Sequence, residues 1–303
     1  MFDISDKIKT LRIAKARAVI EVSENIIKRI ENKEIEKGDI FEVSKAVACQ
    51  SAKKTPFILP FCHNIPIEWI SFDYKIDDKR ITIEVTVKTI ARTGCEMEAL
   101  FSVICAALNI YDMLKPYDKN IEIKEIKVIE KKGGKSDFIE EVPPDFKAGV
   151  LVVSDSVYAG KKQDKSGKII VKILEECGLK NIDYKIVPDE RDMIEKEVKN
   201  WIENKYNLVI TTGGTGLSPR DITPEAVKPL IEKEISAIME ASRVYGYERT
   251  PYSMLSRGIA GVSGKTLIIT LPGSSKGSYE SMRAIFPYVF HIYKMMEGKG
   301  HRE

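Results

Sequence analysis

The sequence has few of the features that mark secreted, disulfide-bonded or membrane proteins. Its five cysteines are odd in number and form no Cys-x-x-Cys pair, which indicates reduced thiols. The apolar stretches, such as 267–271, have the length of a strand, and none approaches the roughly 20 residues of a membrane helix. A polar segment follows Met1 in place of a signal peptide. We expect a cytoplasmic protein without membrane contact.

An excess of charge of one sign is also missing. The 48 basic and 45 acidic side chains leave a formal charge of +3, which does not favour a nucleic-acid surface. The adjacent Cys62 and His63 lack the further spaced ligands that a zinc site needs. Small molecules are therefore the expected partners, and nucleic acid is not.

The chain is long enough for two domains. Its 303 residues exceed one typical core, and a Pro143-Pro144 pair in an acidic segment separates two differently patterned halves. We predict an N-terminal domain over 1–140, a linker over 141–147 and a C-terminal domain over 148–303.

The C-terminal half alternates strand-like and helical patterns. Short apolar runs at 149–154, 184–187, 207–212 and 265–270 are typical of buried parallel strands. Helical spacing occurs at 169–177, 193–203 and 224–240, and 261–266 reads as a hairpin-like turn. Thr223 and Pro224 are predicted to cap and begin the last of these helices. The pattern predicts a doubly wound α/β fold with a mostly parallel sheet, which binds ligands at the carboxyl ends of its strands.

The N-terminal half has a different pattern. Helical segments are predicted at 23–31 and 98–114, and strands at 65–76, 80–90 and 121–130. We predict an α+β fold of the ferredoxin-like kind, in which helices cover an antiparallel sheet.

A glycine turn follows the third strand of the C-terminal half. Its residues are Gly213, Gly214, Thr215 and Gly216. Glycines let backbone N–H groups approach an anion closely, so a phosphate is the expected guest; a purely structural turn is the alternative. Asp189, at the end of the preceding strand, and Asp221 can converge on a Mg²⁺ that bridges nucleotide phosphates, although Asp189 taken alone is better explained as a turn or cap residue.

Together with segments 153–156, 164–167, 188–190, 254–257 and 271–273, this region resembles the molybdopterin adenylyltransferases. The resemblance implies transfer of AMP from Mg-ATP to molybdopterin, with release of pyrophosphate and with Asp189 and Asp221 as catalytic carboxylates and Mg²⁺ ligands. A molybdopterin-binding or delivery module without transferase activity is the alternative. The substrate-binding residues that the resemblance implies are Ser154, Asp155, Gly213, Gly214, Thr215, Gly216, Ser218, Arg220, Pro272, Gly273 and Ser274.

The N-terminal half carries a second set of polar residues, in segments 37–39, 52–55, 59–63, 93–100, 110–115 and 131–136. Singly, each has a simple explanation; Asp112 and Lys115, for example, are spaced as a helical ion pair. As a set, they resemble the cyclic pyranopterin monophosphate synthases. Asn64 after His63 and Arg92 before Thr93 depart from that family, which usually has proline and lysine there.

The second resemblance implies conversion of 3',8-cyclo-7,8-dihydro-GTP to cyclic pyranopterin monophosphate and pyrophosphate. This chemistry needs cations for a triphosphate and several proton carriers. Lys37 and Lys115 are the preferred acid/base pair. The implied catalytic residues are Lys37, His63, Glu96, Glu98, Asp112 and Lys115, and the implied substrate-binding residues are Arg12, Cys62, Met97, Lys131 and Lys135.

Spacing makes a separate prediction about this site. If residues 98–115 form one helix, its rise places Asp112 roughly 20 Å from Glu98. One small pocket cannot use both from one chain, so we predict a site at a subunit interface. The resemblances imply a hexamer and a trimer, and thus a homo-oligomer with three-fold symmetry. They leave molybdenum and tungsten as alternatives for the metal of the finished cofactor.

Overall fold

A computed structural model describes residues 1–298, and the chain divides into two compact units between Phe138 and Ile139. Residues 299–303, at the end of the predicted C-terminal domain, lie outside the described part. Lys147, the last residue of the predicted linker, already belongs to the first strand of unit 2.

Unit 1 is a four-stranded sheet covered by helices. Its strands pair antiparallel in the order β2-β3-β1-β4, so the predicted α+β class is confirmed. The elements in chain order are β1 (Thr10–Glu21), α1 (Glu24–Glu31), α2 (Ile40–Ile58), β2 (Trp69–Asp77), β3 (Arg80–Ala91), α3 (Glu96–Leu114) and β4 (Glu122–Lys132).

The core of unit 1 follows from strand periodicity. Alternate residues of β1 and β3, such as Ala16 and Val85, are buried, while their neighbours are partly exposed. Helix α3 packs on these two strands, and α2 packs on α3. Asp39 begins α2, because its carboxylate accepts the backbone N–H groups of Phe41 and Glu42 at 2.9 and 3.1 Å.

Helix α3 corrects one expectation. By length and composition it is apolar enough to cross a membrane, although no such segment was expected from the sequence. Half of its apolar window is buried inside the protein, where residues such as Ala106 and Ile110 contribute to the core. The apolar composition therefore has an explanation in the packing of unit 1.

Unit 2 has a six-stranded sheet in the order β6-β5-β7-β10-β9-β8. The first four of these strands are parallel, and β9 and β8 run antiparallel to their neighbours, which confirms a mostly parallel α/β sheet. Its elements within residues 139–298 are β5 (Lys147–Val153), α4 (Asp155–Tyr158), α5 (Ser166–Glu176), β6 (Asn181–Val187), α6 (Arg191–Glu203), β7 (Leu208–Thr212), α7 (Thr223–Val227), β8 (Lys233–Glu234), α8 (Ser236–Tyr247), β9 (Ala260–Ser263), β10 (Thr266–Leu271), α9 (Ser275–Ile285) and α10 (His291–Met296).

The predicted helix over 224–240 is wrong. Helix α7 ends at Val227 and gives way to a 3₁₀ turn that contains Pro229, since proline lacks the N–H that would continue the helix. Backbone pairing of β8 with β9 then holds the next residues extended. Thr223 is the first helical residue and its side chain makes no cap, whereas the hairpin turn over 261–266 is confirmed between β9 and β10.

Candidate functional site

In unit 2, the parallel strands β5, β6, β7 and β10 all end at one edge of the sheet. The predicted site residues follow directly after these ends, as expected for a doubly wound sheet. Ser154 and Asp155 follow β5, Asp189 follows β6, the glycine turn follows β7, and Pro272 follows β10.

Asp155 connects three of these loops. Its backbone N–H donates to Asp189 Oδ2 at 2.9 Å, and the N–H of Asp189 donates back to Asp155 Oδ1 at 3.0 Å. Arg220 donates to both oxygens of Asp155 at 2.7 to 3.1 Å. The pKa of Asp155 is lowered, chiefly by the hydrogen bond from Arg220. The loops after β5, β6 and β7 are thus joined by hydrogen bonds.

Asp189 has an electrostatic environment of the opposite kind. Burial raises the pKa of Asp189, and the neighbouring charges of Asp155 and Asp221 raise it further. A cation placed near Asp189 and Asp221 would stabilise the ionised form of Asp189, which burial and the neighbouring carboxylates disfavour.

The glycine turn passes against both candidate metal ligands. A Cβ added at Gly214 would lie 3.1 Å from Asp189 Oδ1, and one at Gly216 would lie 2.8 Å from Asp221 Oδ2. Gly214 has φ +60°, which glycine adopts without strain. Asp189 therefore reaches the turn at Gly214 and Asp221 reaches it at Gly216, so a side chain added at either position would displace a carboxylate.

The loop after β10, the last of the site, is held against the glycine turn after β7. Thr212 Oγ1 and Ser278 Oγ donate to the carbonyl of Pro272 at 2.8 and 2.6 Å. A Cβ on Gly273 would lie 2.9 Å from the Cα of Gly213, so the loops after β7 and β10 are in close contact.

A cavity of about 560 Å³ opens beside these turns. Five of the predicted binding residues line it, namely Thr215, Gly216, Pro272, Gly273 and Ser274. Asp155, Asp189, Arg220 and Asp221 lie outside its lining and belong to the hydrogen-bonded loops beside the turn. Gly216 is common to both, because it lines the cavity and packs against Asp221.

Some predicted binding residues use their side chains within the fold. The hydroxyl of Ser154 accepts the N–H of Val157 at 3.4 Å, and that of Ser274 accepts the N–H of Gly277 at 3.1 Å, so both cap helices. Ser218 donates its backbone N–H to Asp221 Oδ2 at 2.8 Å and so fixes that carboxylate.

Arg257 was missing from the predicted site. It donates to the carbonyls of Gly216 and Asp221 at 2.8 and 2.7 Å and pairs with Glu225. It thereby holds the glycine turn and the Asp221 loop together. Arg257 lies in segment 254–257, which contributed to the resemblance, so the sequence could have suggested it as a site residue.

In unit 1, Lys37, Asp112 and Lys115 form one cluster. Lys37 Nζ lies 2.7 Å from Asp112 Oδ2, and Lys115 Nζ lies 2.7 Å from Asp112 Oδ1. These hydrogen bonds lower the pKa of Asp112 to about 2 and raise the pKa of Lys115. Gly38, with φ +96°, turns the chain between Lys37 and the start of α2.

His63, Glu96, Glu98, Cys62 and Met97 form a second cluster around a cavity of about 480 Å³. Glu98 is only 3% exposed, and burial raises its pKa. Burial also raises the pKa of Cys62. The raised pKa of Glu98 lies closer to neutral pH, which suits a proton carrier, whereas the raised pKa of Cys62 lies further from it.

The N-terminal segment closes one side of this second cavity. Phe2, Ile4 and Lys7 line it, and the carbonyl of Phe2 lies 2.9 Å from His63 Nε2. The sequence offered no signal for this contact, which joins residues distant in the chain.

Arg12, Lys131 and Lys135 do not line that cavity. Arg12 lies near the turn between β4 and the following 3₁₀ helix, with Nη1 3.6 Å from the Cβ position of Gly134. Within residues 1–298, no atom accepts a hydrogen bond from the buried Nε of Arg12. The two clusters of predicted catalytic residues lie at opposite ends of α3, which is continuous from Glu96 to Leu114 as predicted.

No group of three or more His, Cys, Asp and Glu side chains suited to a metal occurs in the described residues 1–298. Magnesium, however, needs only one or two carboxylates when substrate phosphates supply further oxygen ligands. One carboxylate oxygen of Asp189 accepts the backbone N–H of Asp155, and one of Asp221 accepts the backbone N–H of Ser218. The donor set therefore fits a magnesium ion that enters with a nucleotide.

Comparison with known proteins divides the chain in the same order. Residues 1–134 match the MoaC family model, and residues 149–291 match the model described as "Probable molybdopterin binding domain". The "Molybdenum cofactor biosynthesis bifunctional protein" of Chlorobaculum tepidum is 37% identical over 301 residues, which cover 99% of this chain and 96% of that protein.

Two further relatives carry a single activity in their names. The "Cyclic pyranopterin monophosphate synthase" of Aquifex aeolicus is 33% identical across 90% of this chain and 91% of its own length. The "Molybdopterin adenylyltransferase" of Helicobacter pylori is 42% identical over 153 residues, which cover 50% of this chain and 87% of that protein.

Proposed function

The chain belongs to the family of bifunctional molybdenum cofactor biosynthesis proteins, and we propose that each unit carries one of the family's two activities. Unit 1 converts 3',8-cyclo-7,8-dihydro-GTP to cyclic pyranopterin monophosphate and pyrophosphate. Unit 2 transfers AMP from Mg-ATP to molybdopterin. The two family models support one domain in each half, so we keep the assignment of 1–140 and 148–303, with a linker that ends before β5 begins at Lys147.

The convergence of Asp189 and Asp221 on one glycine turn carries the proposal for unit 2. Asp189 reaches the turn at Gly214 and Asp221 reaches it at Gly216, at the edge of the sheet where ligands of this fold bind. Bound Mg²⁺ would neutralise phosphate charge and orient the nucleotide. Asp189 and Asp221 would hold this ion, and the N–H groups of the turn would bind a phosphate.

Arg220 and Ser218 have positioning roles in this proposal. Arg220 fixes Asp155, which in turn fixes the loop of Asp189 through paired hydrogen bonds. Ser218 fixes Asp221. These contacts preorganise the carboxylates, so little reorganisation accompanies nucleotide binding.

The test for unit 2 is AMP transfer to molybdopterin by the full chain. Asp221→Asn keeps the size of the side chain but removes its charge, and we expect a loss of transfer of at least about 100-fold, the magnitude typical of an electrostatic contact to the transition state. Asp192→Asn, at an exposed position in α6, is the matched control. Full activity of Asp221→Asn would exclude a catalytic carboxylate at this position.

For unit 1, the proposal is supported by the contrasting environments of the two clusters. Lys37 and Lys115 surround an ionised Asp112, whereas Glu98 is buried and has a raised pKa. The lysines can bind a triphosphate and exchange protons, and the His63 cluster supplies further proton carriers. Since the clusters occupy opposite ends of α3, we propose that they meet across an interface between two copies of the chain.

Three further assignments belong to this proposal. The β-α-β-β-α-β element order, with two helices in the first connection, and the β2-β3-β1-β4 strand order support a ferredoxin-like assignment of unit 1. A homo-oligomer with three-fold symmetry fits the shared site. A cytoplasmic location fits a chain whose most apolar helix packs in a core.

A further inference from the structure

A buried carboxylate in unit 2 has no part in the proposed transfer. Glu280, on α9, is 8% exposed. Among residues 1–298, its one ion pair is with Lys276 Nζ, at 3.9 Å, and the Lys276 side chain is 71% exposed. In the described part of the chain, no cation lies closer to the Glu280 carboxylate, and no group donates a hydrogen bond to it. Glu280 lines a cavity, and its largely enclosed carboxylate, with only this distant cation nearby, can accept the N–H groups of a ligand.

Glu280 lines the cavity of about 560 Å³ that also includes the glycine turn. Thr215 and Gly216 lie on the wall that belongs to the turn, and Ser242 and Ser281 lie on the wall formed by α8 and α9. The two serine hydroxyls bond to each other at 2.9 Å, so this wall is fixed. A ligand with its phosphate at the turn can therefore extend its other end toward Glu280.

The hydrogen-bonding edges of the two substrates differ in what they offer a carboxylate. An ionised carboxylate only accepts hydrogen bonds and binds best to two donors side by side. The aminopyrimidinone edge of a pterin presents such a pair, N3–H and the 2-amino group. Adenine presents its amino group beside ring nitrogens that only accept.

We propose that Glu280 is a specificity-determining residue of unit 2, whose carboxylate accepts N3–H and the 2-amino group of the pterin. This inference rests on the proposed function. It adds that the Glu280 side of the cavity binds the pterin and not the adenine. A lumazine, which has an oxo group in place of the 2-amino group, places an acceptor against the carboxylate and is rejected.

The test compares two stable probes, 6-hydroxymethylpterin monophosphate and the lumazine with the same side chain. Binding to the full chain is measured by calorimetry for wild type, Glu280→Gln and Glu280→Asp. The oxygen of glutamine can still accept N3–H, but its amide N–H then faces the substituent at C2 of the ring. That N–H is repelled by the 2-amino group of the pterin and can donate to the 2-oxo group of the lumazine. We expect Glu280→Gln to weaken pterin binding about 10- to 100-fold and to reverse the preference.

Controls separate recognition from damage to the fold. Glu280→Asp keeps the charge and should still prefer the pterin, with weaker binding because its side chain is shorter. Glu175→Gln, at an exposed position of α5, should bind both probes as wild type does. The Kd for Mg-ATP and the thermal unfolding midpoint of Glu280→Gln should stay at the wild-type values.

Two results would overturn the inference: an unchanged pterin preference in Glu280→Gln, or an equal loss of Mg-ATP and pterin binding. Neither would affect the proposed function if the wild-type chain still adenylylates molybdopterin. By contrast, a wild-type chain that neither binds the pterin probe nor transfers AMP to molybdopterin would remove the proposed function together with this inference.

Discussion

Single carboxylates in the two units differ in protonation because their neighbours differ. Hydrogen bonds from Lys115 and Lys37 lower the pKa of Asp112 to about 2. Burial raises the pKa of Asp189. The first carboxylate is ionised over the whole physiological range, and the second gains its charge only at a higher pH than usual.

The charge on Asp189 should reduce stability. The folded chain binds this proton more tightly than the unfolded chain, so the free energy of unfolding falls as pH rises from the ordinary value of 3.8 through the raised pKa. Asp189→Asn removes this cost. In urea titrations at pH 7 we expect it to be as stable as wild type or more so, by on the order of 1 kcal/mol or less, and to lose AMP transfer.

Asparagine can still accept the N–H of Asp155, which is why the fold should tolerate the change. Asp192→Asn, at an exposed position, should alter neither property. A clear loss of stability in Asp189→Asn at pH 7 would contradict the electrostatic argument.

The pH profile of unit 1 should depend on Asp112. This carboxylate raises the pKa of Lys115, chiefly through their hydrogen bond, so Lys115 stays protonated to a higher pH. In Asp112→Asn, we expect the alkaline limb of the kcat/KM profile for pyranopterin formation to move to lower pH and the rate to fall about 100-fold or more. Asp78→Asn, at an exposed turn, is the control. An alkaline limb that stays in place would show that Lys115 is not the titrating group.

At the scale of elements, the site of unit 2 depends on how closely its loops pack. Gly213 has φ +102°, and a Cβ there would lie 2.1 Å from the carbonyl oxygen of Val153, at the end of β5. The turn after β7 therefore touches the neighbouring strand. Side chains at this position are excluded both by backbone conformation and by lack of space.

Gly178 provides a comparison for Gly213. Its φ of +94° is similar, but no atom lies within 4 Å of its Cβ position. We expect Gly178→Ala to cost about 1 kcal/mol of unfolding free energy from backbone strain, and Gly213→Ala to cost about 2 to 4 kcal/mol and weaken Mg-ATP binding. Chemical denaturation and calorimetry measure both effects. Equal costs for the two variants would show that the contact with Val153 has no energetic weight.

At the scale of the whole molecule, the length of α3 supports the proposed assembly of several copies of the chain. Glu96 and Glu98 lie in its first turn, and Asp112 lies in its last turn. The helical rise separates Glu98 from Asp112 by roughly 20 Å. A substrate that needs both ends must therefore lie between two copies of the chain.

Mixing inactive variants tests this arrangement. One variant carries Glu96→Gln and Glu98→Gln, and the other carries Asp112→Asn and Lys115→Met. Each should be inactive in pyranopterin formation, and subunit exchange between them should restore up to about a quarter of wild-type activity, because some interfaces then combine two intact halves.

Two purified copies of the same variant, mixed together, provide the control. Light scattering should give a mass that is a multiple of three chains. A monomeric mass, or a mixture that stays inactive after demonstrated subunit exchange, would exclude the shared site.

Local sequence patterns predicted most of the strands, but they missed β1 (Thr10–Glu21), whose buried positions are mainly alanine, a weak strand former. Buried parallel strands are short apolar runs, and the glycine turn follows one of them, so both could be predicted from neighbouring residues. Helix α2 was not predicted, because apolar residues such as Phe57 and Ile58 are exposed on it and obscure a single apolar face. The prediction of one helix over 224–240 was wrong because the pairing of β8 with β9, which is distant in sequence, outweighed the helical spacing of the segment.

The sequence by itself determined that the chain has two differently patterned halves, and which acids, lysines and glycines each half offers for chemistry. Only the tertiary structure decided which of them meet. Arg220 bonds to Asp155, 65 positions away in the chain, and Glu280 joins the glycine turn in one cavity. Such contacts depend on how strands and helices are ordered in space, and short-range spacing contains no information about that order.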